Sequence, residues 1–248
     1  MRAMVNIPIH QFQLGGGVVD EAALEQFQKQ WATYQKVVDA DGLSHKAVGK
    51  ILHDTLNHTF AKSFSFLDIA CGDASQMQQA LAATKICHYH GIDLSEPALE
   101  LAANNLKGMP FEVALDHRDF VEALIKRPEP ADAAWCSLSI HHLQTDGKLH
   151  LMQAVRDATS TMLMIYEPTR QDGESRHQYL ERFKRVNRPA WTMLTDEEWA
   201  QVDHHVTTCD FPETTDTWLE LGRNAGFSAA REIFLDPTGF YRVFRYDR

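Results

Sequence analysis

From about residue 63 the apolar residues come in short runs, each broken by small or polar residues and followed by helical spacing. Phe66-Leu67-Asp68-Ile69 leads into the small-residue turn Ala70-Cys71-Gly72-Asp73-Ala74-Ser75, and Gln76 to Ala83 can then form a helix. His88 to Asp93 reads as a second strand, Met109 to Phe120 as a third with its following loop, and Ala131 to Leu143 as a fourth with its polar exit. A helix over Gly147 to Arg156 precedes a buried fifth strand, Thr161 to Glu167, which Pro168 is expected to end. Thr217 to Phe227 reads as a helix closed by Gly226, with Ala229 to Leu235 and Phe240 to Tyr246 as a terminal hairpin. Strands alternating with helices predict an α/β fold with a mostly parallel sheet.

Two stretches depart from this rhythm. The first 62 residues read as a helical cap, with helices over 21–31 and 46–56 and Gly15-Gly16-Gly17 ahead of them. Thr169 to Pro212 loses strand character and becomes charged, aromatic and helical, an insertion of the length that usually carries function. The expected organisation is a cap at 1–62 and a core at 63–248 containing an insertion at about 169–212.

Composition narrows the partners. The 248 residues suit one domain, and 24 Lys plus Arg against 34 Asp plus Glu give a net charge of −10, which argues against nucleic acid. Cys71, Cys87, Cys136 and Cys209 form no C-x-x-C pair and read as reduced thiols. Neither a signal-like start nor a membrane-length apolar run is present, so the expectation is a soluble cytoplasmic protein, monomeric or homodimeric, with no membrane partner.

The turn after the first strand carries the chemistry. A dinucleotide site needs several glycines so that backbone N–H groups can approach a pyrophosphate, and this turn has only Gly72. Asp68, Asp73 and Asp93 instead suit a phosphate-free nucleoside bearing a cationic sulfonium and an α-amino group, which is S-adenosylmethionine. Asp93, about 20 residues beyond the turn, stands where ribose hydroxyls are held.

With Asp68 followed by Ala70, Gly72 and Ala74 at alternate positions, the chain resembles the class I S-adenosylmethionine-dependent methyltransferases. That resemblance implies a Rossmann-like fold: a seven-stranded, mostly parallel sheet flanked by helices, with a helical N-terminal cap and a lid insertion. It implies that Asp119 meets the adenine amino group, that Phe120 lies on the ring, and that Leu94 and Ser137 complete the cofactor site. It also sets the polar cluster at His141-His142 beside the methyl group, and folds N-terminal helices over the cofactor.

Methyl transfer from a sulfonium is an in-line displacement, so the protein positions the nucleophile and, where needed, takes its proton. His141 and His142 are the candidate bases, or else loop residues that shape the site; strand alternation would turn only one of them inward. Tyr34 and His45 face the pocket or pack within the cap. Glu167, Arg170, Arg176, His204 and His205 are candidates for a wall around a small-molecule acceptor, with surface salt bridging the other account of the two arginines. No metal is expected, because Asp203, His204 and His205 lack a ligand spacing and adjacent histidines rarely share an ion. The rival readings are an NAD(P)-dependent oxidoreductase and a catalytically silent S-adenosylmethionine-binding partner. Base methylation of nucleic acid is disfavoured by Cys136-Ser137-Leu138-Ser139, which lacks the Pro-Pro-aromatic run that stacks a flipped base.

Overall fold

A computed structural model describes residues 32–125 and 129–248. The expected 21–31 helix and the triglycine lie outside the described residues. Residues 32–39 are helical, and α1 (His45–Thr59) follows. The core then runs β1 (Phe64–Ile69), α2 (Met77–Leu81), β2 (Ile86–Asp93), α3 (Glu96–Asn105), β3 (Glu112–His117), α4 (Phe120–Ile125) and β4 (Ala131–Ser137). A 3-10 turn (Ile140–His142), α5 (Thr145–Asp157) and β5 (Thr159–Arg170) lead into the insertion helices α6 (Arg176–Ala190) and α7 (Asp196–Cys209). The chain closes with β6 (Glu213–Thr214), α8 (Thr215–Asn224), β7 (Ala229–Leu235) and β8 (Tyr241–Asp247).

The sheet order is β3-β2-β1-β4-β5-β8-β7. Strands β1 to β5 pair in parallel, and β8 turns antiparallel to both β5 and β7. This is the expected Rossmann-like sheet with one addition: the two-residue β6 pairs with the end of β5, making eight strands. Pro168 does not end β5. Thr169 N–H donates to Phe240 O at 2.7 Å, so the alternating position at Pro168 faces the other neighbour, where β4 has stopped at Ser137 and β6 begins opposite Thr169. A proline costs no ladder bond there.

Period-2 alternation divides the core between two faces. Leu163 and Ile165 join Leu67, Ile69 and Cys136 against α5 and α8. Met162, Met164 and Tyr166 face the other side with Phe66, Tyr89 and Trp135, where the cap and the insertion cover them. Both insertion helices start on capping boxes, Ser175 with Gln178 and Thr195 with Glu198. Phe183 then packs edge-on against Trp191 and Phe240 and stacks on Trp199, beside Tyr34 and Val37 of the 32–39 segment.

Gly222 fixes the packing of α8 on the sheet. A Cβ there would lie 2.1 Å from the Tyr246 ring, whose hydroxyl donates to Trp218 O at 3.1 Å. Gly222→Ala, which normally favours a helix, is therefore expected to destabilise the protein by about 1–3 kcal/mol through overpacking. Denaturant unfolding checks this, and an unchanged or raised midpoint contradicts it.

Candidate functional site

The carboxyl ends of β1 to β4 open onto one edge, where α/β sheets hold ligands. After β1 the chain turns through three alternate left-handed residues, Ala70 (φ 55°), Gly72 (φ 54°) and Ala74 (φ 52°). The two alanines thus adopt the conformation that glycine takes without steric cost. Asp93, at the end of β2, accepts the Gly72 N–H at 2.8 Å through Oδ2 and the Ser95 N–H at 2.8 Å through Oδ1, locking the β1 turn to the β2 exit. Asp73 ties down Ser75, accepting its N–H at 3.1 Å and its hydroxyl at 2.9 Å.

The remaining cofactor candidates border the same edge in different ways. Leu94 is exposed and Ser137 is buried. Asp119 is half-buried and accepts the Glu122 N–H at 3.1 Å, capping α4, while Phe120 packs against the core under α5. Asp68 is fully buried and accepts the Tyr89 hydroxyl at 2.7 Å, so its contact is internal to the sheet.

The exit of β4 is built around Glu167. This fully buried carboxylate accepts the N–H groups of Ser139 (3.1 Å), Ile140 (2.9 Å) and His141 (3.3 Å), and His141 Nδ1 donates to its Oε2 at 2.6 Å. Leu138, just before, is left-handed at φ 50°, a strained state for a bulky residue, and its N–H is held by Tyr166 O at 2.7 Å. Glu167 thereby converts a strand end into a 3-10 turn. Strand alternation does not survive, and His141 and His142 sit on one side with ring centroids 4.1 Å apart.

Both rings meet Asp210, a residue the sequence did not single out. Asp210 Oδ1 lies 3.5 Å from His141 Nε2, 3.4 Å from His142 Nδ1 and 3.8 Å from His205 Nε2. Burial alone would lower the His141 pKa, but the carboxylates of Asp210 and Glu167 outweigh it and hold it at about 9. His142 is pushed down to about 3, first by burial and then by its His141 neighbour. For Asp210 burial acts upward, and the surrounding imidazoles, His141 foremost, bring the net shift below the usual carboxylate value. A cavity of about 20 Å³, room for one water, is bordered by His141, His205, Asp210, Tyr34, Tyr241 and Leu138.

The wall residues sort differently from expectation. Tyr34 and His205 border the cavity, and His45 sits behind, its Nε2 3.3 Å from the Tyr34 hydroxyl. Glu167 holds the turn from beneath and is no wall residue. The Arg170 guanidinium is spent on backbone carbonyls, Pro212 O at 2.7 Å and Glu174 O at 2.6 Å, and Arg176 likewise donates to Asp210 O at 2.7 Å and Thr207 O at 2.6 Å. Both arginines brace the end of the insertion, and neither borders this cavity. His204 is exposed on α7 and stands outside the cluster. Further stitches bind residues 209–213 to the turn and α5: Phe211 N–H to His141 O at 2.8 Å, and buried Lys148 to Phe211 O and Glu213. The only sequence signal for Asp210 was its place at the close of the insertion, just before Phe211-Pro212.

Residues 67–161 match the methyltransferase domain family. No curated protein matches the chain in sequence. Among solved structures it is similar to the magnesium protoporphyrin IX methyltransferase of Synechocystis with bound SAH, at 13% identity, TM-score 0.58, over 94% of this chain and 90% of that one. It also resembles the pyocyanin biosynthetic protein PhzM, at 20% identity, TM-score 0.54, covering 79% of this chain and 54% of PhzM. A third is the mitomycin 7-O-methyltransferase MmcR, at 14% identity, TM-score 0.53, over 88% of this chain and 60% of MmcR. The chain thus spans less than two thirds of the latter two. These likenesses establish the fold, a Rossmann-like sheet of the kind found in S-adenosylmethionine-dependent methyltransferases, and the methyltransferase domain match runs from its first strand into its fifth. Among the described residues no helix is long and apolar enough to cross a membrane.

If Glu167 holds the turn, Glu167→Ala should cost about 3–5 kcal/mol, because it strands buried N–H groups and a buried imidazole. His204→Ala should change stability by less than about 0.5 kcal/mol. Thermal or denaturant unfolding of the two variants checks the contrast, and equal small effects would contradict it.

Proposed function

We propose that this protein transfers a methyl group from S-adenosylmethionine to an oxygen or nitrogen of a small-molecule acceptor held between the β4 exit and the insertion. The observation that carries the reading is the shared edge: the Gly72 turn, Asp93 and Asp119 end neighbouring parallel strands, and the His141-His142 turn ends the next one. The donor set fits the cofactor. Carboxylates with a single turn glycine suit ribose hydroxyls, an amino group and a sulfonium, and offer little to a pyrophosphate, which disfavours the oxidoreductase reading. When bound, S-adenosylmethionine supplies an electrophilic methyl group.

The chain's own residues do the rest. Asp93 keeps lone pairs for the ribose while its N–H bonds hold the turn, and Asp119 with Phe120 holds the adenine. Leu94, Ser137 and the backbone from Ala70 to Gly72 border the remainder, with Asp68 supporting the turn from inside. His141 and His142 orient the nucleophilic atom of the acceptor, and Tyr34 and His205 flank it. The cavity admits only one water, so an acceptor must part α7 from the 32–39 segment. Their surface contact, Lys36 to Glu198 at 2.6 Å, is exposed enough to yield readily. Closure over the acceptor then excludes water from the reacting atoms. A small molecule is favoured over nucleic acid by the net charge of −10.

Calorimetry with S-adenosylhomocysteine tests the donor site. The wild-type protein should bind it, and Asp93→Ala should weaken binding by about 1–3 kcal/mol through lost charge-assisted hydrogen bonds. Undiminished affinity in the variant removes Asp93 from the site. A screen of metabolites with methyl-labelled donor then identifies the acceptor. His142→Ala should lower kcat on it, whereas His205→Ala should mainly raise KM. Unchanged kinetics in both variants would remove the insertion face from the acceptor site.

A further inference from the structure

We propose that His141, His142 and Asp210, with His205 alongside, form a binding site for one divalent transition-metal ion of the zinc type. The ligand atoms of the first three converge within 4.8 Å of one another, and all three side chains are buried or nearly so. Asp210 Oδ1 is buried and receives no hydrogen bond of good geometry, although three imidazole nitrogens surround it at 3.4, 3.5 and 3.8 Å. Those separations are long for hydrogen bonds. The two shorter ones are close to the edge of a tetrahedron about a metal with bonds of roughly 2.0–2.1 Å, an edge of about 3.3 Å.

Three further observations agree. Glu167 accepts the His141 Nδ1 proton at 2.6 Å and so turns Nε2 toward Asp210, where a metal would displace the Nε2 proton; this is the carboxylate-histidine support that metal ligands commonly carry. His142 Nδ1 faces the same point, 3.4 Å from Asp210 Oδ1, and a metal there would take the place of its 3.2 Å contact with Cys209 O. Glu167 and Asp210 are two buried carboxylates whose ion pairs among the described residues are all with imidazoles, so a cation between those rings would add to the offset of their charge. The 3-10 turn removes the usual objection to adjacent histidines, since it puts both rings on one side. Two imidazoles and one carboxylate favour zinc, cobalt or iron(II) over magnesium or calcium. A remaining position borders the cavity, where a water or an acceptor oxygen could sit.

The site stands independently of the methyl-transfer reading, because its test uses metal alone. The full chain, stripped with a chelator, is titrated with Co2+ followed by visible absorption, and with Zn2+ by calorimetry. One equivalent should bind, with the intense visible bands of low-coordinate Co2+, and Asp210→Asn and His142→Gln should each weaken binding at least about 10-fold. His204→Ala should leave metal affinity unchanged. Circular dichroism confirms that the variants are folded; should either misfold, X-ray absorption of the zinc-loaded wild-type protein counts its imidazole ligands directly. Two or three imidazoles at about 2.0 Å support the site. Absence of one-to-one binding, fewer than two imidazoles, or affinity undiminished in both folded variants overturns it.

Discussion

The architecture around the site depends on one buried carboxylate satisfied by the backbone it bends. A bare glutamate at the end of a central strand would be prohibitively costly, so Glu167 exists only because Ser139, Ile140 and His141 turn their N–H groups to it and His141 adds its ring. The constraint is mutual. Without the carboxylate those N–H groups would be buried unmet, and Leu138 would have no reason to stay in a strained left-handed state.

From that bracket the rest of the site follows by contact. The turn offers His141 O to Phe211 N–H and His142 Nδ1 toward Cys209 O, so the insertion returns to the sheet on a fixed path. Arg170 and Arg176 then brace that return by its carbonyls, and Asp210 is delivered to the two imidazoles. On the neighbouring strands a second bracket, Asp93 on the Gly72 N–H, shapes the β1 turn in the same manner. Each bracket is a charge-assisted bond to backbone, the strongest kind available to a short turn.

Much of the fold was legible in the amino-acid pattern, because strand burial is a local property. The runs at 66–69 and 131–137 are largely apolar where both faces of the sheet are covered, 88–93 keeps Tyr89, Gly91 and Ile92 for the buried positions, and Asp93 stands at a strand end that spacing alone locates. What escaped were features set by partners distant in sequence. Pro168 looked like a strand terminator until its neighbours showed that no ladder bond was asked of it. The histidine pair looked like alternating strand residues because nothing nearby announces Glu167 as a bracket 26 residues later. Asp210 carries no motif at all; its role comes from the return path of the insertion. Arg170 and His204 show the converse, since residue type suggested a wall and three-dimensional position gave a brace and a surface group.

The central claim is that the Asp93 bracket and the Glu167 bracket together define one reaction edge. A crystal structure with S-adenosylhomocysteine bound tests it most directly. The account predicts ribose hydroxyls on the Asp93 carboxylate, adenine beside Asp119, and the sulfur directed toward the His141-His142 turn. A ligand bound away from the Ala70 to Ala74 turn, or with its sulfur directed away from the β4 exit, would contradict it.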